Sequence, residues 1–363
     1  MAIDSTSDGR QAKRLESLDI LRGLDLFLLV FLQPVLVSVL SRIDSPAAAW
    51  LLFQLDHEVW EGFRFWDIIM PLFLFMAGAA MPFSFSKYRN GAKSKVYWRV
   101  FRRCVLLFLI GMVVQGNLLA FDPEHIYIYT NTLQAIAAGY LIGAVILLHC
   151  NLRWQIIATV VLLAAYSLPM SLWGDFSPKG NLANVIDEAV LGRFRGDPTY
   201  TWVFTSLVFG VTVMLGAFAG QIMKSAGTAR VRAAGRLAVI GLALVLTAWL
   251  WSYETPVVKR IWSGSMTLLS GGYCFLLMAL FYYLIDCRGW LGWLGWLKIY
   301  GMNAITAYVL GEVINFRSIV QSVSFGLQPY LGDFYPCWLT FGNFLVLYFI
   351  LLVMYRNKVF VKL

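Results

Sequence analysis

Residues 66–86 read WDIIMPLFLFMAGAAMPFSFS, with one acid at the entry and no further charge until Lys87. A run of that length matches the roughly 20 residues that carry a helix across about 30 Å of hydrocarbon. Pro71 and Pro82 do not argue against a helix here, because membrane helices tolerate proline better than soluble ones. Working outward in both directions, similar apolar runs recur at roughly 18–40, 103–120, 132–149, 154–172, 201–223, 237–253, 265–286, 297–315 and 337–355. That makes about ten candidate spans. The run at 297–315 is the most polar, holding Gly301, Asn303, Tyr308 and Glu312. Of the 363 residues 60% are hydrophobic and only 13% charged, and mean hydropathy is +0.70. A soluble domain carries about 45–50% apolar and about 25% charged residues. These values exclude a disordered chain, a coiled coil, a small disulfide scaffold and an ordinary soluble enzyme. The expected fold is an all-α polytopic membrane protein.

The net charge of +9 must be read loop by loop. A cytoplasmic N-terminus puts most of the 29 Lys and Arg residues on the inside and most of the 20 acids outside. The positive-inside rule therefore predicts an N-in, C-in chain. The densest basic segment is KYRNGAKSKVYWRVFRR at 87–103. It reads as a topology anchor beside anionic lipid, or as a landing strip for an anionic cytosolic cofactor. Residues 1–16 read as a cytoplasmic tail. No Asn-x-Ser/Thr sequon occurs, which favours a bacterial inner membrane. The five cysteines form no CxxC pair and read as buried apolar filler. No internal repeat stands out, so an inverted-repeat transporter has no support.

Three histidines exist: His57, His125 and His149. His149 ends a span and His125 sits in a short loop. His57 lies in QLDHEVWEGFRFWD (Gln54–Asp67), leading into the second span. If that stretch is helical, His57, Glu61 and Arg64 fall on one face with Trp60 beside them. A carboxylate next to an imidazole fixes its tautomer and raises its basicity. Asp67 would sit at a helix N-terminus, where the dipole favours an anion. An amphipathic interfacial stretch with tryptophan anchors fits the same residues.

Asp19, Arg22 and Asp25 are charges at the inner end of span one, where they need partners. Gln33 and Pro34 lie deeper in it. Asn131 and Gln134 open span four, and Lys259, Arg260, Trp262 and Ser263 precede span eight. Each fits ordinary helix packing, and together they supply the groups of a polar pocket. There is no Walker loop, dinucleotide fingerprint, HExxH or GxSxG, and no metal-ligand cluster. No metal and no nucleic-acid partner are expected.

The order of motifs resembles the heparan-α-glucosaminide N-acetyltransferase family. The resemblance runs through RLESLDILRG (Arg14–Gly23), HEVWEG (His57–Gly62, as HxxWxG) and DIIMPLFLFMAG (Asp67–Gly78). It continues with Leu133 and Gln134, NVIDEAVLG (Asn184–Gly192), Asp197 and Pro198, PVVKRIWS (Pro256–Ser263) and GMNAITAY (Gly301–Tyr308). The DxxRG element of span one also looks like the broader acyltransferase-3 group, without that group's first-span histidine.

The resemblance implies a single transmembrane acyltransferase domain over 17–358, taking acetyl from cytosolic acetyl-CoA to an amine on the far, periplasmic side. The family's catalytic histidine maps onto His57. On this reading His57, Gln33 and Asp67 carry the chemistry. Trp60, Glu61, Arg64, Gln134, Lys259, Trp262, Ser263, Asn303 and Tyr308 bind substrate, and Asp19, Arg22 and Asn131 hold the donor. The family often has Asn at the depth of Gln33. The large luminal domain of its animal members has no counterpart in the resemblance, so a bacterial amino sugar is as good an acceptor as a heparan chain. A homodimer is open. The competing readings are an amino-sugar or glycan transporter without chemistry and an O-acetyltransferase of envelope polysaccharide.

Overall fold

The computed structural model describes residues 15–85, 93–290 and 292–361, so the expected tail falls almost wholly outside the described residues. The helices are α1 (Glu16–Leu40), α2 (Pro46–Gln54), α3 (Phe65–Phe85), α4 (Lys93–Val114), α5 (Thr132–His149), α6 (Leu152–Trp173) and α7 (Leu182–Leu191). There follow α8 (Ser206–Ser225), α9 (Arg230–Trp251), α10 (Gly264–Cys287), α11 (Lys298–Met302), α12 (Ala304–Val313) and α13 (Tyr335–Arg356). Among the described residues, eight helical stretches are long and apolar enough to cross a membrane: α1, α3, α5, α6, α8, α9, α10 and the stretch Arg317–Arg356 that ends in α13. No strand forms among the described residues, and one isolated antiparallel bridge pairs Glu61 with Val258. The chain is an α-helical polytopic membrane protein.

Two of the ten expected spans differ. The run expected at 103–120 belongs to α4, which starts ten residues earlier, so Lys95, Arg99, Arg102 and Arg103 lie on a helix and not in a loop. The run expected at 297–315 is broken at Asn303, whose backbone (φ −119°, ψ 42°) leaves the helical region between α11 and α12. Its side chain holds the C-terminal segment instead: Nδ2 donates to Val359 O at 3.1 Å and Oδ1 accepts from Val361 N at 3.1 Å.

The centre of the molecule is α3 against α8. Association in lipid depends on close packing, and small residues permit it. A Cβ on Gly216 would stand 1.9 Å from Phe75 O, and one on Gly78 would stand 1.9 Å from Val213 O. Only glycine admits this crossing. The sequence GAFAG at 216–220 is the small-xxx-small spacing that such a crossing uses. Helices α1, α4, α5 and α12 complete the side of the bundle that encloses the site. Within α1, Leu28–Leu32 form a π turn just ahead of Pro34, which has no N–H to give to the helix.

Candidate active site

The segment from Asp56 to Arg64 is not helical, so the expected face of His57, Glu61 and Arg64 does not exist. The cause is Asp67, which is fully buried at the entry of α3. Its Oδ2 accepts from Arg64 N at 2.9 Å and Glu58 N at 3.3 Å, so the chain curls around the carboxylate. Gly62 adopts φ +129°, where only glycine is at ease, and its N–H donates to Val257 O at 2.8 Å. That bond and the Glu61–Val258 bridge tie the His57 loop to the Pro256–Ser263 loop.

The tie brings Lys259 to His57 across 202 positions of sequence. His57 Nδ1 lies 2.9 Å from Asp67 Oδ1 and 2.8 Å from Lys259 Nζ. Lys259 Nζ is also 3.3 Å from His57 Nε2 and 3.3 Å from Asp67 Oδ1. One hydrogen serves Nδ1. If Nδ1–H donates to Asp67, the lone pair is on Nε2 and the ring is a base there. If the Lys259 ammonium donates to Nδ1, the ring hydrogen sits on Nε2 and the base is lost. Lys259 is only 6% exposed. Burial pulls its pKa from 10.5 down to about 8, against the pull of Asp67. The three groups therefore decide together where the proton lies.

His57 and Lys259 open into a cavity of about 350 Å³, walled among others by Leu29, Trp66, Phe73, Tyr200, Trp202, Tyr308 and Glu312. That is at the lower end for small-molecule sites, about 300–1,000 Å³. A narrower cavity of about 80 Å³ shares Phe73, Thr132 and Tyr308 with it and is lined by Arg22 and Arg103. Going from the narrow to the wide cavity, the lining steps along each helix in turn. It moves from Arg22 and Leu26 to Leu29 on α1, and from Ala77 to Trp66 on α3. On α4 and beyond it moves from Arg103 to Gln115, and on α12 from Ala304 to Glu312. At 1.5 Å per residue these steps place the cavities end to end along about 10–18 Å of helix. Tyr308 stands at the junction, and its hydroxyl accepts from Asn131 Nδ2 at 3.3 Å.

The other expected residues are placed elsewhere, most of them as scaffold. Arg64 gives its guanidinium to Glu58 at 2.8 and 3.0 Å and stacks on Phe53, with its centre 3.8 Å from the ring. The pairing holds Glu58 below and Arg64 above their ordinary pKa values. Gln33 donates to Leu55 O at 3.2 Å, two residues before His57, and so anchors the loop without lining the cavity. Trp60 Nε1 donates to Phe176 O at 2.8 Å. Ser263 caps α10 and bonds Pro256 O at 2.7 Å. Trp262, at φ +51°, is buried with Nε1 donating to Thr212 Oγ1 at 3.2 Å. Gln134 closes a capping box with Asn131 at the start of α5. Asp19 is buried near the N-terminal end of α1 and does not line either cavity, whereas Arg22 lines the narrow one.

Sequence reasoning does not single out Glu58, Tyr200 or Trp202, and it sees Arg103 only as the end of the basic segment 87–103. Tyr200 and Trp202 carry a faint signal, two aromatics at i and i+2 of an extended stretch. Their loop is held by the buried Asp187, which accepts from Trp202 N at 2.6 Å and Val203 N at 3.0 Å. Among the described residues no three His, Cys, Asp or Glu side chains gather as a metal set.

The family model for the catalytic part of heparan-alpha-glucosaminide N-acetyltransferase matches residues 14–253. The heparan-alpha-glucosaminide N-acetyltransferase of Mus musculus is 23% identical over 370 residues, covering 84% of this chain and 54% of the relative. That of Homo sapiens is 24% identical over 367 residues, covering 83% and 53%. The chain thus spans about half the length of the curated relatives it matches. With the family model matched over more than half of it, the chain belongs to the heparan-alpha-glucosaminide N-acetyltransferase family.

Proposed function

We propose that the chain is a membrane N-acetyltransferase that moves acetyl from acetyl-CoA to the amine of a glucosamine-type sugar. The observation that carries this reading is the pair of end-to-end cavities, with Arg22 and Arg103 in the narrow one and His57 in the wide one. The narrow cavity suits a slender acyl-thioester arm, and its arginines suit an anionic donor. The wide cavity, with the carboxylate of Glu312 and the aromatic walls of Tyr200 and Trp202, suits an amino sugar. With the N-terminus cytoplasmic, the donor arrives from the cytosol and the acceptor from the far side. In a bacterium that is the periplasmic face of the inner membrane.

Asp67 accepts a hydrogen bond from His57 Nδ1–H, which leaves the Nε2 lone pair free as a general base. His57 removes the proton from the acceptor amine as it attacks the thioester carbonyl, then returns it to the leaving thiolate. The Lys259 ammonium and the Tyr308 hydroxyl are donors available to the developing oxyanion. Gln33, expected to share in the chemistry, and Asn303 and Ser263, expected to bind substrate, are committed elsewhere. Direct transfer inside a ternary complex needs no acetyl-imidazole facing water. The test is purified protein in detergent with labelled acetyl-CoA and either glucosamine or N-acetylglucosamine. Label on glucosamine alone is expected. Label on N-acetylglucosamine would instead mean O-acetylation, and no label on either would remove the acetyltransferase reading.

A further inference from the structure

The position of Lys259 has a consequence for a donor that meets no acceptor. Its Nζ stands 2.8 Å from His57 Nδ1 and 3.3 Å from Nε2, beside the imidazole to which an acceptor amine must surrender its proton. The side chain lines the same cavity as His57. It is nearly buried, held between Asp67 and His57, so the amine is fixed and not a wandering surface lysine. Given the acetyl transfer proposed above, on which this inference rests, a bound thioester faces two amines: the acceptor's when one is present, and that of Lys259 when none is.

We propose that Lys259 is a self-acetylation site, modified by the enzyme's own acetyl donor when the acceptor is missing. The neutral amine of Lys259 attacks the thioester carbonyl, the C–S bond breaks and an amide C–N bond forms at Nζ. The proton lost from Nζ passes to His57 Nε2 and leaves on the CoA thiol. No oxidant or further reactant is needed. The product amide carries no charge, so Asp67 loses its buried counter-ion, and the added acetyl group occupies cavity space beside His57. The modification therefore silences the site, and a saturating acceptor protects against it.

The groups facing Nζ set its pH dependence. Asp67 favours the ammonium, Arg260 and burial oppose it, and His57 accepts its proton. With the amine half-titrated at about pH 8, labelling should fall about tenfold per pH unit below that and level off above it.

The experiment incubates the purified full chain with labelled acetyl-CoA alone across pH 6–9 and maps the acetyl group by peptide mass spectrometry. Expected is label at Lys259, suppressed by glucosamine, lost in Lys259→Arg and lost in His57→Ala. Label spread over the exposed Lys179 and Lys358, or equal at Lys259 in wild type and His57→Ala, overturns the proposal as mere chemical acetylation. Acetylated glucosamine with Lys259 unlabelled in the acceptor-free arm overturns it while leaving the acetyltransferase reading intact. No label on glucosamine or on Lys259 overturns both.

Discussion

Among the described residues two histidine–aspartate pairs form, and they have opposite settings. His57 Nδ1 is 2.9 Å from Asp67, and His125 Nδ1 is 2.6 Å from Asp122. By distance the second pair is the tighter. It lies in the loop after α4, with side chains 66% and 46% exposed, and three residues of sequence bring it together. In the first pair the carboxylate is fully buried and the imidazole 37% exposed into a cavity, a nearly buried lysine stands beside both, and that lysine comes from 202 positions on in the chain. Water screens the Asp122 pair and competes for each of its hydrogen bonds. In the Asp67 cluster the low dielectric makes every proton position count. What distinguishes a candidate site from a surface pair is the enclosure, not the bond.

The largest effect should separate the two histidines. His57→Ala is expected to cut acetyl transfer by about 10²–10⁴-fold, the usual worth of a positioned general base, while His125→Ala leaves it unchanged. Steady-state assays with both variants, each checked for a native melting profile, decide this. Equal losses, or none, would break the comparison. Asp67→Asn removes the counter-ion of a buried ammonium, which costs about 3–5 kcal/mol when one partner of such a pair is lost. A lowered melting temperature and transfer reduced about 10²-fold are expected. The corresponding Asp122→Asn should stay within about 0.5 kcal/mol of wild type.

Ala77→Leu adds three carbons to the wall of the narrow cavity that Arg22 also lines, at a position 8% exposed. It should raise the KM for the donor more than the KM for the acceptor, at a stability cost of about 1–3 kcal/mol for overpacking. An acceptor-only effect would disconnect the two cavities. Asp187→Ala leaves the Trp202 and Val203 N–H groups without their acceptor, costing about 1–3 kcal/mol. Here the acceptor KM should rise, because Tyr200 and Trp202 line its cavity.

The smallest effect is one of pH. The pKa of Lys259 is about 8 in the folded chain against 10.5 ordinarily. Between those values the unfolded chain holds the proton and the folded chain does not, so stability rises with pH across that window. Below pH 8 both states hold it and the slope vanishes. Melting curves of wild type against Lys259→Met from pH 7 to 10 should show this rise in wild type only. Parallel curves would mean that Lys259 keeps its ordinary affinity for protons.

The class of fold was legible because hydropathy runs need only the one-dimensional pattern. His57 was legible because few histidines exist and one lies beside acids and tryptophans. Its partners were not. A helical reading of 54–67 pairs the imidazole with Glu61, but the backbone N–H groups of Glu58 and Arg64 turn instead toward Asp67. That choice is made by a buried carboxylate ten residues on, and helical periodicity carries no trace of it. The sequence offers Lys259 only as a cation for substrate, because its approach to His57 depends on a bridge between two loops. The break at Asn303 is hidden because an asparagine inside an apolar run looks like any other packing polar until the C-terminal segment that its side chain holds is in place.

The most direct test of a transfer path running between the two cavities is sidedness. Protein reconstituted in sealed vesicles with the N-terminus outward would be given acetyl-CoA outside and glucosamine trapped within, with His57→Ala in parallel. Acetylated glucosamine inside wild-type vesicles, and none with His57→Ala, is the expected result. Transfer only when donor and acceptor share one compartment would contradict it.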